Sequence, residues 1–459
     1  MAPVNRVLDP DAVDDLGEYE QRGGGRALDA ARELDPETVI ELLEESGLRG
    51  RGGAGFPTGT KWRTVAKMSR SEPPTVVVNG AEGEPGTFKD RMLLRRNPYR
   101  VLEGALIAAH AVGADRVVVG LKRNATDAMR RVQTAIDEAR DKGWGGRIEL
   151  TAFAGSDRYL LGEETALLES LAGNPPFPRL APPYRDGAEP TEATLVNNVE
   201  TLANVPGIVS DGAAAFRSMG TQDSPGTIVC TVSGRTERAG VGEFELGTPL
   251  REVIEQLGGS TSSVVAVLSG VAHPFLPADA LDTPLTWEAM EAAGGGLGAA
   301  GFIVVDDQVD IVAVAHGVSR FLSVESCGQC TPCKQDGLAI TAALDRLQRS
   351  VPDDDDLQRL PQLATRVTDG ARCYLAQQHQ NVVQSLLAQF PDALEAHAEG
   401  RASGTGSYPI VPLLDIVDDE AVLDLGDLDV QPDWADGSDA APADRIDVRR
   451  AQDAPADAH

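Results

Sequence analysis

Aromatic side chains, lysine and long apolar runs are all scarce in this sequence. Phe, Trp and Tyr make up 4% of 459 residues while glycine reaches 48, so cores must close on aliphatic side chains and close backbone contacts. Only 6 of the 41 basic residues are lysine. No apolar run approaches the ~18 residues of a membrane-spanning helix, and the polar, acidic start lacks the basic-then-apolar order of a secretory signal. The expectation is a soluble, cytoplasmic protein without direct membrane insertion, any membrane association being peripheral and made through a complex. Positive charge is in deficit as well. A net charge of −30 argues against nucleic-acid backbones and anionic membranes as partners and favours neutral or basic surfaces. Five cysteines, three of them within seven residues, do not make a disulfide framework.

Two to four domains of ~100–200 residues fit this length. Pro36-Glu37 starts a helix carrying Val39, Ile40, Leu42 and Leu43, which Gly47 stops. Thr75–Val78 is a β-branched strand, and Glu82-Gly83-Glu84-Pro85-Gly86 follows it as an acidic turn. A helix over 90–113, a strand over 116–120, an amphipathic helix over 125–142 and a strand over 148–153 continue the alternation. That pattern indicates an open, mostly parallel α/β sheet. Gly162-Glu163-Glu164-Thr165 opens another helix, and Pro175, Pro176, Pro178, Pro182 and Pro183 then force an extended passage over a surface or across a site. From Thr227 onward, short strands at 228–232, 240–244, 264–268 and 303–305 with a helix at 249–257 form a small mixed module. Cys230 within it reads as a packing residue. Residues 311–400 are mostly helical, with an acidic hinge at Asp353–Asp356. The remainder, 401–459, is acidic and rich in Asp, Ala and Pro; it is expected to lack a stable fold of its own, although its apolar Ile410–Leu414 can dock on the body or on a partner.

Three stretches carry chemistry. Leu48–Trp62 holds five glycines, Arg49, Arg51 and Lys61. Glycine lets consecutive amides form an anion cradle beside fixed cations, but the spacing matches neither a dinucleotide fingerprint nor a Walker loop, so a flexible surface loop stays an equal reading. Asn197-Asn198 reads first as a helix cap. The most specific signal is Cys327-x-x-Cys330-x-x-Cys333, three thiolates on one turn. Cys373 can supply a fourth ligand from the following helical region, which suits a [4Fe–4S] cluster; a zinc site of four cysteines is the competing reading.

Taken in order, Leu48–Trp62, Asn79–Arg91, Gly162–Leu167, Asn197–Leu202 and Glu325–Lys334 resemble the family of flavin subunits of respiratory complex I (the NADH-quinone oxidoreductase F subunit). Related hydrogenase and formate dehydrogenase diaphorase subunits share the pattern, which covers about residues 16–400. The resemblance implies an α/β architecture: a Rossmann-like FMN/NADH-binding domain over 1–226, a ubiquitin-like β-grasp (SLBB) module over 227–310, and a helical [4Fe–4S]-binding domain over 311–400. Carried over by position, Gly50, Arg51, Gly52, Gly53, Ala54 and Lys61 would face FMN and its phosphate. Asn79, Glu82, Gly162, Glu163, Glu164, Asn197, Asn198 and Thr201 would complete that site. Phe56, Glu84 and Glu164 would contact the dinucleotide, and Cys327, Cys330, Cys333 and Cys373 would bind the cluster. NADH delivers two electrons as a hydride whereas a cluster takes one at a time, so flavin bridges the two and no side-chain acid or base is required. No [2Fe–2S] domain is fused to this chain, which implies a separate thioredoxin-like [2Fe–2S] subunit, a larger redox complex and, beyond it, a quinone.

Several positions depart from the family pattern. Gly80 and Ala81 replace Ala-Asp, Ala181 replaces Lys, Tyr184 replaces Phe, Leu161 replaces Cys, and Arg63-Thr64 stand where an aromatic is usual. Ala81, Ala181 and Thr64 thin the flavin and dinucleotide side and motivate an alternative, a relay paralogue served by another donor such as ferredoxin. A zinc-stapled scaffold without redox chemistry is the third reading.

Overall fold

The computed structural model describes residues 3–68, 72–187, 192–259, 263–402 and 407–432. Four strands, β1 (Thr75–Gly80), β2 (Arg116–Lys122), β3 (Glu149–Gly155) and β4 (Thr194–Asn198), form a parallel sheet in the order β3-β2-β1-β4. Runs such as Val76–Val78 are buried on both faces, as a parallel sheet covered by helices requires. From β1 the chain steps outward through β2 to β3, then returns to the other side of β1 with β4. The direction of winding therefore reverses between β1 and β4, and the crevice outside the carboxyl ends of strands at such a reversal is where open α/β sheets bind ligands.

The single helix expected over 90–113 is two, Lys89–Arg96 and Pro98–Val112. Pro98 lacks an amide hydrogen, and the Asn97 side chain accepts from Arg100 N at 3.1 Å to start the second helix afresh. That second helix lies so close to Val199–Asp211 that a Cβ on Gly104 would overlap the Leu202 carbonyl.

The second sheet is mixed. Strands β5 (Thr227–Gly234), β6 (Gly240–Glu245), β7 (Val264–Ser269), β8 (Leu276–Pro277) and β9 (Gly301–Asp306) take the order β6-β5-β9-β7-β8. Only β5 and β9 run parallel. The helix Leu250–Gly258 sets Val253 and Ile254 on a core shared with Ile228, Val232 and Phe244, and Cys230 lies fully buried in it. Five helices follow, Ile311–Glu325, Thr331–Gln348, Asp356–Arg366, Leu375–Gln389 and Pro391–Ala398, closing on Val318, Phe321, Leu322, Ile340, Leu344 and Leu386. The acidic hinge is tied down: Asp356 is buried and accepts from Arg346 Nε at 2.9 Å.

The acidic tail departs from the expectation. Residues 407–432 carry a hairpin, β10 (Leu413–Val417) and β11 (Glu420–Leu423), and a short turn of helix at Leu425–Asp429. The segment gains its order from the body, on which the apolar Ile410–Leu414 stretch docks: Ile410, Val411 and Leu413 are buried, and Asp415 pairs with Arg95 at 2.7 Å. Residues 433–459 lie outside the described residues. No described helix is long and apolar enough to cross a membrane.

Candidate functional site

The carboxyl ends of β1 and β4 bring three asparagines together. Val78 is in register with Asn197 and Asn79 with Asn198. Asn79 bridges to the far side of the crevice, its Nδ2 donating to the Gly162 carbonyl at 2.8 Å while its Oδ1 accepts from Ala81 N. Asn197 Oδ1 accepts from the buried Trp62 indole at 2.8 Å. Three helices begin at this edge, and each has its first amides bonded to a side chain. Glu82 accepts from Asp90 N and Arg91 N, Glu163 from Thr165 N and Ala166 N, and Asn198 from Glu200 N. The cap reading of the asparagine pair therefore holds for Asn198. Positive helix ends converge here, a setting suited to an anion.

The loop Leu48–Trp62 folds over this edge. Gly50 N donates to Phe56 O at 2.8 Å and Thr58 N to Leu48 O at 2.9 Å, pinching the loop at its base. At its crown, the amides of Gly52 and Gly53 make no hydrogen bond to the described chain. Gly53 sits at φ 126°, and a Cβ on Gly52 would stand 3.2 Å from Asn198 Cβ. The crown is thus an open pair of donors that only glycine permits, as a phosphate cradle needs. Lys61, on the helix Thr58–Met68, pairs with Glu164 at 2.6 Å, both half-exposed at the rim. Phe56, in the same loop, stands 51% exposed.

Arg51 is corrected. It is 1% exposed, and its guanidinium turns away from the crevice to the carbonyls of Thr227, Pro225 and Arg49. Its backbone amide donates to Thr201 Oγ1 at 2.9 Å, which explains why Thr201 is fully buried. Arg51 therefore ties the loop to the second sheet. Beneath the crown lies a buried charge cluster that composition could not reveal: Lys89 Nζ is 2.8 Å from both Asp90 and Glu200, and Asn198 Nδ2 donates to Asp90 at 2.6 Å.

Glu84 is half-buried and committed to partners within the chain. Its carboxylate accepts from Val271 N at 2.6 Å and from the Tyr159 hydroxyl, and burial pushes it above the ordinary carboxylate range. Tyr159 in turn accepts from Gln378 Nε2 at 2.7 Å. This network joins the acidic turn after β1 to the helix that follows Cys373.

The four predicted cysteine ligands line one cavity, although Cys373 is forty residues from Cys333 in sequence. None is in a disulfide. Ser326 Oγ lies 3.3 Å from Cys333 Sγ, and Gln329 Nε2 donates to Cys327 Sγ at 3.5 Å. Burial pushes the Cys333 thiol to about 11 and raises Cys327 and Cys373 as well. Such thiols ionise only beside a strong cationic centre, and a bound metal supplies one. Four cysteines on one cavity, three of them from a single turn, make a donor set that suits a polynuclear cluster.

Two families match the chain: Nuo51 FMN-binding domain over residues 43–207, and NADH-ubiquinone oxidoreductase-F iron-sulfur binding region over residues 313–397. The NADH-quinone oxidoreductase F 2 subunit of Rhizobium meliloti is 39% identical over 401 residues, covering 84% of this chain and 95% of the relative. The chain belongs to the family of NADH-quinone oxidoreductase F subunits. The F subunit of Aquifex aeolicus is 35% identical, with 85% and 93% covered. A chain of the NAD+-reducing [NiFe]-hydrogenase in its H2-reduced state superimposes with a TM-score of 0.76 at 34% identity, over 84% of this chain and 67% of that one. As an F subunit, this chain is an oxidoreductase component whose cofactors are FMN and a [4Fe–4S] cluster.

Sequence reading missed Trp287, which packs under the crown of the glycine loop in this F subunit. A Cβ on Gly55, at φ 62°, would overlap its indole nitrogen. The Arg49 guanidinium stacks 4.2 Å above the same ring, pairs with Glu288, and donates from Nε to Gly55 O at 2.8 Å. No local signal links residues 49 and 287; the glycine alone hinted that something approaches closely. Gly55→Ala is expected to combine a left-handed backbone with overpacking, to cost about 2 kcal/mol or more, and to weaken FMN retention. Urea unfolding and flavin release on dilution check both; a variant as stable and as flavin-tight as the parent would refute the packing account.

Proposed function

We propose that this chain oxidises NADH through FMN held at the β1–β4 crevice and passes single electrons to a [4Fe–4S] cluster on Cys327, Cys330, Cys333 and Cys373. From there they leave to a partner [2Fe–2S] subunit of a larger complex and toward a quinone. The observation that carries the reading is that one fold joins an uncommitted glycine crown at a sheet reversal to a cavity ringed by four free cysteines. In the same reading residues 227–310 are a β-grasp module and 311–400 a helical cluster-binding bundle.

FMN, when bound, takes up two electrons as a hydride and gives them up singly. The chain's own residues bind and orient. Gly52 and Gly53 offer amides to the phosphate and Lys61 adds charge, while Gly50, Ala54 and Gly162 leave room for close approach. Asn79 fixes the Gly162 turn, and Asn197 is held in place by its bond from Trp62. Asn198, Glu82 and Glu163 hold three helix ends in place, Thr201 anchors the loop, and Phe56 and Glu164 offer an apolar face and a carboxylate at the rim. Glu84 acts from beneath, holding Tyr159 and the backbone at Val271.

A second reading, a relay fed by a donor such as ferredoxin, is favoured by one observation. Thr64, where family members carry a ring, bonds only back to Thr60 O of its own helix. Reconstitution with FMN and iron, followed by titration with NADH against reduced ferredoxin, decides between them. Bleaching of the flavin by micromolar NADH is expected. Bleaching by ferredoxin alone would establish the relay, and failure to bind flavin or iron would end both.

A further inference from the structure

The two cofactor sites lie on separate bodies that meet along one seam. On the first-sheet side stand Arg158, Tyr159 and Glu84; on the helical side, Glu325, Phe321 and Gln378. Tyr159 N donates to Glu325 Oε2 at 2.9 Å and its ring meets Phe321 edge-on at 5.2 Å between centroids. Every contact of this set runs through or beside one tyrosine. Beyond the tyrosine, Gln329 Nε2 on the cysteine turn donates to Pro178 O at 2.9 Å and Leu160 packs into the helical core, so these further ties gather at the cysteine cavity.

Residues 407–432 lie beyond the matched iron–sulfur region, which ends at 397, and they grip both bodies. On the first-sheet side they hold the helix Lys89–Arg96. Arg91 Nη1 donates to Leu413 O at 2.6 Å, and Arg95 makes a two-pronged pair with Asp415 at 2.7 and 3.1 Å. On the other side they hold the helix Ile311–Glu325, whose end leads straight into Cys327. Ile410 is buried in the helical core, Gly317 is bare enough for the Tyr408 carbonyl to lie against it, and Arg320 donates to the carbonyls of Asp427 and Leu428. A third point, Ala239 N to Asp419 O at 2.6 Å, fixes the hairpin tip to the connection between β5 and β6. A segment anchored on both bodies, at Arg91 and Arg95 on one and at Gly317 and Arg320 on the other, adds a restraint to those ties.

We propose that residues 407–432 are a strap that fixes the Cys327–Cys333 turn relative to the first sheet. Electron passage between the cofactor sites then depends on the strap, while reaction with the hydride donor does not. The inference rests on the two-cofactor reading above. Each passage oxidises the flavin by one electron and reduces the cluster by one. A one-electron acceptor such as ferricyanide empties the cluster, and a second passage completes the pair that the hydride delivered.

Two variants test it: the full-length Asp415→Asn/Arg320→Gln protein, and a chain ending at Arg401. Amide hydrogen exchange in Ile311–Glu325 is expected to speed up by about 10-fold. Cluster reduction, followed by its electron paramagnetic resonance after NADH mixing, is expected to slow by about fivefold, with flavin bleaching by NADH unchanged. Unaltered exchange and cluster reduction in both variants would overturn the strap, as would equal slowing of bleaching and cluster reduction in the point variant. A parent chain that takes up no flavin or iron defeats the two-cofactor reading instead, and exchange then still decides on the strap.

Discussion

Replacing Cys373 with alanine is expected to yield a folded, flavin-loaded protein that has lost its iron–sulfur cluster. Cys327, Cys330 and Cys333 come from one turn, whereas Cys373 reaches the same cavity from the start of another helix, Leu375–Gln389. The remaining lining offers no further thiol: Leu160, Pro178, Leu375 and Ala376 are apolar there, Ser326 Oγ is taken up beside Cys333 Sγ, and the Arg372 guanidinium is directed to Gln329 Oε1 at 3.4 Å. The loss of electron output to a one-electron acceptor beyond the cluster should exceed the roughly 10–100-fold typical of removing an outer-shell partner. Gln329→Ala, which removes such a partner from Cys327, provides that comparison. Iron and sulfide analysis beside flavin content reads the result. A variant that keeps its full iron complement would show that the fourth ligand lies elsewhere.

The largest stability loss is expected at Lys89→Met, beneath the flavin crown. Lys89 is 1% exposed and is the common partner of Asp90 and Glu200. Burial alone would lower its pKa, but the two carboxylates together raise it, so it stays charged. Methionine keeps the volume and leaves two buried carboxyl groups facing each other, at a cost of about 3–5 kcal/mol. Glu200 also accepts from Val229 N at 2.9 Å, and Asp90 holds the Asn198 amide, so damage should spread to the crevice. Adding Glu200→Gln should recover part of the loss. Urea unfolding of the single and double variants measures it; a single variant within about 1 kcal/mol of the parent would show that water or protonation replaces the lysine.

How far the sequence could be read depended on whether a feature was carried by backbone or by side-chain direction. Alternation of strands and helices placed the first sheet, because buried β-branched runs and apolar helical spacing are local signals. The cysteine spacing was equally local, and the carry-over to Cys373 needed only a helix to return. Arg51 shows the opposite case. Its position in the glycine loop was legible, but whether its guanidinium faces solvent or the second sheet depends on carbonyls more than 170 residues away. Glu82 and Glu84 are likewise neighbours in one acidic turn, yet one caps a helix and the other accepts from Tyr159. For Trp287 the one local signal was Gly55, which marks a close approach without saying by what. The 407–432 segment was read from composition, and composition measures a segment's ability to fold alone, which this one does not need.

The position of that segment late in the chain also orders events in time. Protein synthesis runs at about 5–20 residues per second, so Pro432 is added roughly 3–12 s after Cys373. During that interval all four cysteines exist while the grip of Arg95 and Arg320 on the tail does not. A chain stalled or cleaved near residue 401 would keep all four cysteines and lose that grip, and so stay loosely latched.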